Sequence, residues 1–226
     1  MEQINLQLMP GQILAITGPS GCGKTTLLHL IAGVLPPSAG TITNQFRRAS
    51  YVFQEPRLLP WRNTLDNVAY GLKAQGIPAA RRRQIALELA ERLGLEGAAT
   101  KFPHQLSGGM RQRVALGRAL AVEPDLLLMD EPFGALDIRL RTELQNLVLE
   151  LLSERGLAAL LVTHDLTEAV RMGNQLLLLA GSPGRVLLQE PLERKPNRQP
   201  DQHVQDQVAS LLLRAEMVRL GRAESR

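Results

Sequence analysis

The chain alternates between short, mostly apolar runs and longer stretches in which apolar residues recur at helical spacing. The short runs have the length of buried strands. They are ILAIT at 13–17, DLLLMD at 125–130, ALLVT at 159–163 and QLLLLA at 175–180, with SYVFQ at 50–54 as a further candidate. INLQL at 4–8 alternates apolar and polar residues and predicts a short strand, and RVLLQ at 185–189 predicts an edge strand.

Helical spacing appears between these runs. The predicted helices run from Lys24 to Gly33, over residues 78–93, from Ser107 onward with Met110, Val114 and Ala121 on one side, and along Leu140, Leu144, Leu147 and Leu151. Since apolar strands alternate with helices, we expect an α/β fold with a mostly parallel sheet and helices on both faces.

The domain organisation follows from where strands are missing. Residues 70–120 hold helices but no convincing strand, which predicts a helical subdomain inserted into a domain spanning 1–190. After Glu190 the sequence becomes polar and proline-rich, so residues 191–226 predict a linker followed by a C-terminal helix with Val208, Leu211, Leu212 and Val218.

Composition narrows the class of protein. The 226 residues are 44% hydrophobic and 21% charged, as in a soluble globular protein, and no apolar run approaches the length of a membrane span. The net charge of +4 raises the question of a nucleic-acid partner, but the 22 arginines are scattered and aromatic residues make up only 3%. We therefore expect no nucleic acid. The N-terminus does not resemble a secretory signal, and the single cysteine excludes an internal disulfide framework.

A complete phosphate-loop motif lies at 18–25, GPSGCGKT, between a predicted strand and a predicted helix. Its glycines let backbone N–H groups turn toward one anion at a helix N-terminus. Lys24 is expected to reach the β- and γ-phosphates of a nucleotide, and the Thr25 hydroxyl to bind Mg²⁺. The predicted nucleotide-binding residues here are Gly18, Pro19, Ser20, Gly21, Cys22, Gly23, Lys24, Thr25 and Thr26.

An apolar strand ends in two acids, Asp130 and Glu131. Ligands bind at the carboxyl ends of parallel strands, so Asp130 is expected to hold Mg²⁺, and Glu131 to orient or deprotonate an attacking water. These motifs indicate a P-loop NTPase and leave kinases and GTPases open.

A second glycine pair, headed by a serine, lies in LSGGMRQ at 106–112. A serine and two glycines at a helix start form a good anion-binding element. If one nucleotide occupies the first loop, this second element would act on a γ-phosphate from elsewhere. The simplest arrangement is a two-fold dimer in which Ser107, Gly108 and Gly109 of each chain face the phosphate loop of the other.

These motifs together resemble the nucleotide-binding subunits of ABC transporters. LSGGMRQ resembles the family's signature motif, VFQEP its Q-loop at Gln54, GALD at 134–137 its D-loop, and LVTHD its switch histidine at His164. The resemblance covers residues 4 to 190 in the family's motif order. It implies an ABC ATPase fold, ATP and Mg²⁺ as cofactors, and a homodimer.

The resemblance also implies roles for single residues. Gln54 would contact Mg²⁺ or the attacking water, and His164 would bond the γ-phosphate and keep the water and Glu131 aligned. Ser107, Gly108, Gly109 and Gln112 would belong to the nucleotide site through the signature motif, and Asp137 would touch the opposite subunit.

Within the family, VFQEPRLLPW at 52–61 and DEPFGALD at 130–137 resemble importers of nitrate, taurine, aliphatic sulfonates or pyrimidine precursors. This implies two membrane permease subunits, a periplasmic or extracellular solute-binding protein, and a peripheral place on the cytoplasmic face of the inner membrane. Leu58, Leu59 and Trp61 would form part of the permease docking surface. The alternatives are a soluble ABC-type ATPase acting on DNA or ribosomes, and a hydrolysis-impaired regulatory relative.

One departure from the family concerns the base. Family members usually carry an aromatic residue that stacks on adenine before the phosphate loop, whereas the first aromatic residue here is Phe46. Losing one stack weakens binding by about 1–2 kcal/mol. We therefore expect reduced ATP affinity and poor discrimination against GTP.

Overall fold

The computed structural model describes residues 1–134, 136–193 and 201–224. Its strands are β1 (Ile13–Thr17), β2 (Ala49–Val52), β3 (Leu126–Asp130), β4 (Ala158–Thr163), β5 (Gln175–Ala180) and β6 (Arg185–Pro191). Its α-helices are α1 (Lys24–Ile31), α2 (Thr64–Val68), α3 (Ala79–Arg92), α4 (Gly108–Ala121), α5 (Ile138–Arg155), α6 (Leu166–Met172) and α7 (Asp201–Glu224). Short 3-10 helices lie at Tyr70–Lys73, Glu96–Ala98 and Pro103–Gln105.

The chain forms two compact units, and the first combines Met1–Gln45 with Ala158–Arg226. In this unit β1 lies between β4 and β5 and pairs with both in parallel, while β6 pairs with β5 antiparallel. Every residue of β1 and of β4 is buried. This burial explains why both strands are apolar throughout, since a parallel strand covered on both faces has no solvent side.

The second unit is Phe46–Leu157. Here β2 pairs with β3 in parallel, and all five residues of β3 are buried. Between Thr64 and Ala121 the described backbone is helical wherever it is regular. The predicted α/β class with mostly parallel strand pairing is confirmed, while the inserted subdomain at 70–120 and the domain boundary at 190 stay predictions.

Helix ends follow local chemistry. The side chain of Asn63 accepts a hydrogen bond from Asp66 N at the start of α2, and Asp165 accepts from Thr167 N and Glu168 N at the start of α6. Gly156 ends α5 in the left-handed conformation that favours glycine. Both α2 and α6 are shorter than nine residues and carry little periodicity, so sequence patterning missed them.

The predicted strand at 4–8 is wrong. Burial alternates there, with Ile4, Leu6 and Leu8 half-buried and Asn5 and Gln7 exposed, but no strand forms. An alternating pattern needs a partner strand to become a sheet, and none of the described ladders includes this segment.

The C-terminal helix α7 packs within the first unit. Its buried positions Val204, Leu211 and Ala215 recur at helical spacing. Val204 and Leu211, with Val208 partly buried, join a cluster around Ala169 and Leu176. Leu212, which the sequence also placed in this helix, is 54% exposed. The predicted linker begins after Glu190, and its residues 194–200 lie outside the described residues. Among the described residues, no helix combines the length and apolarity that crossing a bilayer would require.

Candidate functional site

The phosphate loop owes its shape to three glycines with positive φ. These angles are +156° at Gly18, +80° at Gly21 and +103° at Gly23. A Cβ added at Gly18 would lie 2.7 Å from the carbonyl oxygen of Leu179, closer than real Cβ atoms come. The loop therefore needs glycine at Gly18 for space as well as for backbone conformation.

The loop leads into α1 without a side-chain cap. Gly23 is the N-cap residue and offers no hydrogen-bonding side chain, so the first N–H groups of α1 are not capped by it. Uncapped N–H groups at a helix start favour an anion, because the helix dipole adds positive potential at the same point. Ser20, Thr25 and Thr26 are exposed at this end of the helix.

Lys24 lies along the inside of the loop. Its side chain is buried, and Nζ donates to the carbonyl oxygens of Gly18 at 2.8 Å and Pro19 at 3.1 Å. The ammonium group is thus held over the same loop whose N–H groups would receive a phosphate. Cys22 is buried beneath the loop, where the backbone of Gly184 passes so close that a Cβ at that glycine would collide with the Cys22 carbonyl.

His164 follows β4 directly. Thr163, the last residue of β4, is the register partner of Thr17, the last residue of β1. His164 and Gly18 therefore follow paired residues and leave the sheet at the same edge. The imidazole is exposed, and Asp165 after it caps α6.

In the second unit, the two acids lie at the C-terminal end of β3. Asp130 ends the strand and is only 7% exposed. Glu131 follows with a φ of +45°, in the left-handed region that side chains other than glycine rarely adopt. Such strain costs about 1–3 kcal/mol and is concentrated at functional sites.

Gln54 and Glu131 are in contact. Gln54 Nε2 donates to Glu131 Oε2 at 3.2 Å, so the structure brings together two residues that the sequence predicted separately. Gln54 itself is exposed, and Glu131 is half-buried. Their contact connects the end of β3 with the segment that follows β2.

Sequence analysis missed a second contact between the same elements. The hydroxyl of Tyr51 donates to Asp130 Oδ2 at 3.2 Å. Burial raises the pKa of Tyr51, and the negative charge of Asp130 and the hydrogen bond to it raise it further, because both oppose a phenolate. The sequence does show Tyr51 within a predicted strand. It does not show that this strand pairs with β3, which ends in the two acids.

The signature segment opens α4. Ser107 is the N-cap residue, and its hydroxyl oxygen accepts from Met110 N at 3.2 Å. A Cβ at Gly108 would meet only the end of Arg111, at 4.0 Å, whereas a Cβ at Gly109 would collide with the side chain of Leu140. Ser107 and Gly108 are exposed and Gly109 is buried.

Two further predicted site residues, Gln112 and Asp137, have structural roles in this fold. Gln112 is 5% exposed and lies within the packing of α4, and its contact with a nucleotide stays a prediction. Asp137 is exposed and caps α5, accepting from Leu140 N at 3.0 Å. Within the predicted D-loop at 134–137, residue 135 lies outside the described residues.

The predicted docking residues are partly exposed. Trp61 is 71% exposed, whereas Leu58 and Leu59 are half-buried. An exposed tryptophan is a poor core residue, and the exposure fits a docking surface.

Arg118 of α4 anchors the segment that leads to Trp61, which sequence analysis did not predict. Its guanidinium donates to the carbonyl oxygens of Pro56 and Arg57, both at 2.8 Å. Burial lowers the pKa of Arg118, and interaction with Tyr70 partly opposes that shift. The arginine thus ties the helix of the signature segment to the segment after Gln54.

Each residue predicted to bind Mg²⁺ has the chemistry of a ligand for that ion. Gln54 and Asp130 in the second unit offer oxygen atoms, which hard cations prefer, and Thr25 in the first unit offers a hydroxyl oxygen. Among the described residues no three His, Cys, Asp or Glu side chains form a group that could hold a metal by themselves. Mg²⁺ usually takes one or two carboxylates and completes its shell with phosphates and water, so this sparse set suits it.

Comparison with known proteins gives concordant matches. The family model described as "ABC transporter" matches residues 1–134. The taurine import ATP-binding proteins TauB of Shigella sonnei (strain Ss046) and Escherichia coli (strain K12) are each 51% identical over 199 residues, covering 85% of this chain and 78% of the relative.

Solved structures match as well. The dimeric post-hydrolysis state of the ATP-binding cassette MJ0796 bound to ADP and Pi is 33% identical, with a TM-score of 0.75, over 85% of this chain and 90% of that one. A second dimeric structure of MJ0796, a bacterial ABC transporter cassette, is 34% identical with the same TM-score and coverage. The family match spans more than half of the chain and agrees with the phosphate loop, the paired acids and the signature helix. This protein belongs to the ABC transporter family and has the fold of its ATPase cassettes.

Proposed function

We propose that this chain is the ATP-binding and ATP-hydrolysing subunit of an importer for taurine or a similar small solute. The observation that carries the ATPase part is the phosphate loop, with its three positive-φ glycines and the Lys24 ammonium held at the carbonyl oxygens of Gly18 and Pro19. The solute class rests on the 51% identity to the taurine import proteins.

The residues divide the chemistry between them. Backbone N–H groups from Ser20 to Thr26 would hold the phosphates, Gly18 and Pro19 would shape the start of the loop, and Lys24 would exchange a carbonyl bond for a phosphate oxygen. Mg²⁺, when bound by Thr25, Asp130 and Gln54, supplies neutralisation of phosphate charge.

Hydrolysis needs a base and an aligned water. Glu131 would accept the proton of the attacking water, and His164 would donate to the γ-phosphate. The Gln54 amide, which contacts Glu131 at 3.2 Å, would help to orient that water. The strained backbone of Glu131 supports a functional role for its side chain.

The second half of each reaction centre would come from a second copy. Ser107 and Gly108 are exposed at a helix N-terminus and suit a phosphate approaching from outside the chain. Asp137 is also exposed and would touch the partner near this point. Each closed homodimer would hold two ATP molecules.

Partners in the membrane would complete the importer. Two permease subunits would dock at the surface around Leu58, Leu59 and Trp61, on the cytoplasmic face of the inner membrane. A periplasmic or extracellular solute-binding protein would select the solute and act through the permease. Opening and closing of the ATPase dimer would reach the permease through this surface.

The direct test is reconstitution with the permease in lipid vesicles, with ATP hydrolysis measured as taurine-loaded binding protein is added. We expect taurine to stimulate hydrolysis and the Trp61→Ala variant to lose the stimulation. Leu213→Ala is the matched control, because Leu213 is also an exposed apolar residue, at 64%. Hydrolysis by the wild type that no solute-loaded binding protein changes would contradict the importer assignment, and absence of ATP hydrolysis would contradict the ATPase assignment itself.

A further inference from the structure

Tyr51 contacts an acid whose function the preceding proposal assigns to Mg²⁺. In the parallel register of β2 and β3, Tyr51 is the partner of Leu128. Side chains alternate between faces along a strand, so Asp130, two residues beyond Leu128, extends from the same face. The Tyr51 hydroxyl reaches along this face and donates to Asp130 Oδ2 at 3.2 Å.

The ring of Tyr51 is also held in place by aromatic stacking. Its ring stacks on Phe53, with centroids 4.3 Å apart and an interplanar angle of 29°. The Phe53 ring in turn lies under the guanidinium of Arg57, whose Cζ is 4.3 Å from the ring centroid. A rotamer fixed by packing on one side and a hydrogen bond on the other orients the carboxylate that accepts the bond.

The hydrogen bond is suited to a carboxylate that binds a metal. It engages one carboxylate oxygen, Oδ2, and so fixes the plane of the carboxylate. An outer residue that donates to a metal-binding carboxylate fixes its orientation, and removing such a donor typically lowers metal affinity about 10–100-fold.

We propose that Tyr51 is a positioning residue for Mg²⁺, orienting Asp130 through its hydroxyl. The inference rests on the proposed role of Asp130 as the Mg²⁺-binding acid. It adds a residue that belongs to no nucleotide-binding motif, and it gives the segment from Tyr51 to Arg57 contacts with both acids, through Tyr51 to Asp130 and through Gln54 to Glu131.

The test is Tyr51→Phe in the full chain, with Tyr70→Phe as control, since Tyr70 is the other tyrosine and is exposed. Binding of a fluorescent ATP analogue is titrated with Mg²⁺ and is also measured in EDTA. We expect Tyr51→Phe to raise the Mg²⁺ concentration for half-saturation about tenfold, with metal-free affinity unchanged and kcat recovered at high Mg²⁺. Tyr70→Phe should match the wild type.

Three results would overturn the proposal. One is an unchanged Mg²⁺ dependence in Tyr51→Phe. Another is an equal loss of metal-free affinity, accompanied by a lower Tm, which would indicate a general structural role. The third is a wild-type nucleotide affinity that does not respond to Mg²⁺. Because binding is the readout, a chain that binds Mg²⁺ and nucleotide but hydrolyses nothing would contradict the ATPase proposal while still deciding the role of Tyr51.

Discussion

The phosphate loop and the signature segment both place glycines at the start of a helix, but the surroundings of these glycines differ. The loop glycines are bent into positive φ, and α1 begins without a side-chain cap. The signature helix α4 begins with Ser107 as its cap, and its first glycine, Gly108, is exposed, with room for a Cβ. The loop is thus shaped to surround an anion. The signature segment already has a side-chain cap, and it presents an exposed surface that an anion can approach.

The largest expected effect tests the loop. Lys24→Ala removes the ammonium held at the carbonyl oxygens of Gly18 and Pro19. Charge-assisted bonds to phosphate are worth several kcal/mol in sum, so we expect nucleotide affinity to fall about a hundredfold or more in equilibrium fluorescence binding. Lys101→Ala, at an exposed lysine, is the control. Wild-type affinity in the Lys24 variant would contradict the assignment of the loop.

The next effect separates binding from reaction. Glu131→Gln removes the base but keeps a side chain of the same shape, so turnover should fall about 10²–10⁴-fold while ATP binding persists. Light scattering with ATP and Mg²⁺ should then detect a stable dimer.

Glu123→Gln is a close control for that experiment, because Glu123 also has a positive φ, of +50°, and is exposed. It should turn over ATP at the wild-type rate. A Glu131→Gln chain that stays monomeric with ATP and Mg²⁺ would weigh against shared reaction centres.

Two neighbouring glycines sharpen the description of the signature segment. Gly109→Ala forces a Cβ into Leu140 and should destabilise the fold by about 1–3 kcal/mol, measured by denaturant unfolding. Gly108→Ala places a Cβ no closer than 4.0 Å to the end of Arg111 and favours helix formation, so the fold should be as stable or up to about 1 kcal/mol more stable.

The ATPase rate of Gly108→Ala should nevertheless fall, because the methyl group obstructs the approach of a phosphate. Hydrolysis at the wild-type rate, at every protein concentration, would show that this glycine does not face a nucleotide.

The smallest expected effect concerns the cap. Ser107→Ala removes the acceptor for Met110 N and should cost about 1 kcal/mol of unfolding free energy. Ser107→Asn should restore that stability, since asparagine caps helices equally well. If Asn also restores full hydrolysis, Ser107 is a cap and nothing more, whereas a stable but slow Asn variant would indicate direct contact with phosphate.

The fold was predictable where burial dictated sequence. The fully buried strands β1, β3 and β4 could be identified as apolar runs, and α4 could be located from Ser107. The short helices α2 and α6 were missed because they begin at single capping residues, Asn63 and Asp165, rather than showing a long period. The segment at 4–8 shows the reverse error, since its alternation lacks a partner strand.

The candidate site was predictable to the extent that it lies in contiguous motifs. The loop geometry follows from the positions of its glycines, and Asp130 and Glu131 from the end of a strand. The Tyr51–Asp130 contact depends on the pairing register of β2 and β3, which a single sequence does not contain. The Arg118 bonds to Pro56 and Arg57 span some sixty positions and were invisible for the same reason.

The backbone at Glu131 carries an evolutionary consequence. Glycine occupies a φ of +45° without penalty, and asparagine or aspartate tolerate it more easily than glutamate does. A population selected only for thermal stability should therefore replace glutamate at this position. Its fold would become more stable while its ATP hydrolysis declined. Retention of the disfavoured side chain in a lineage would mark one in which the reaction still confers fitness.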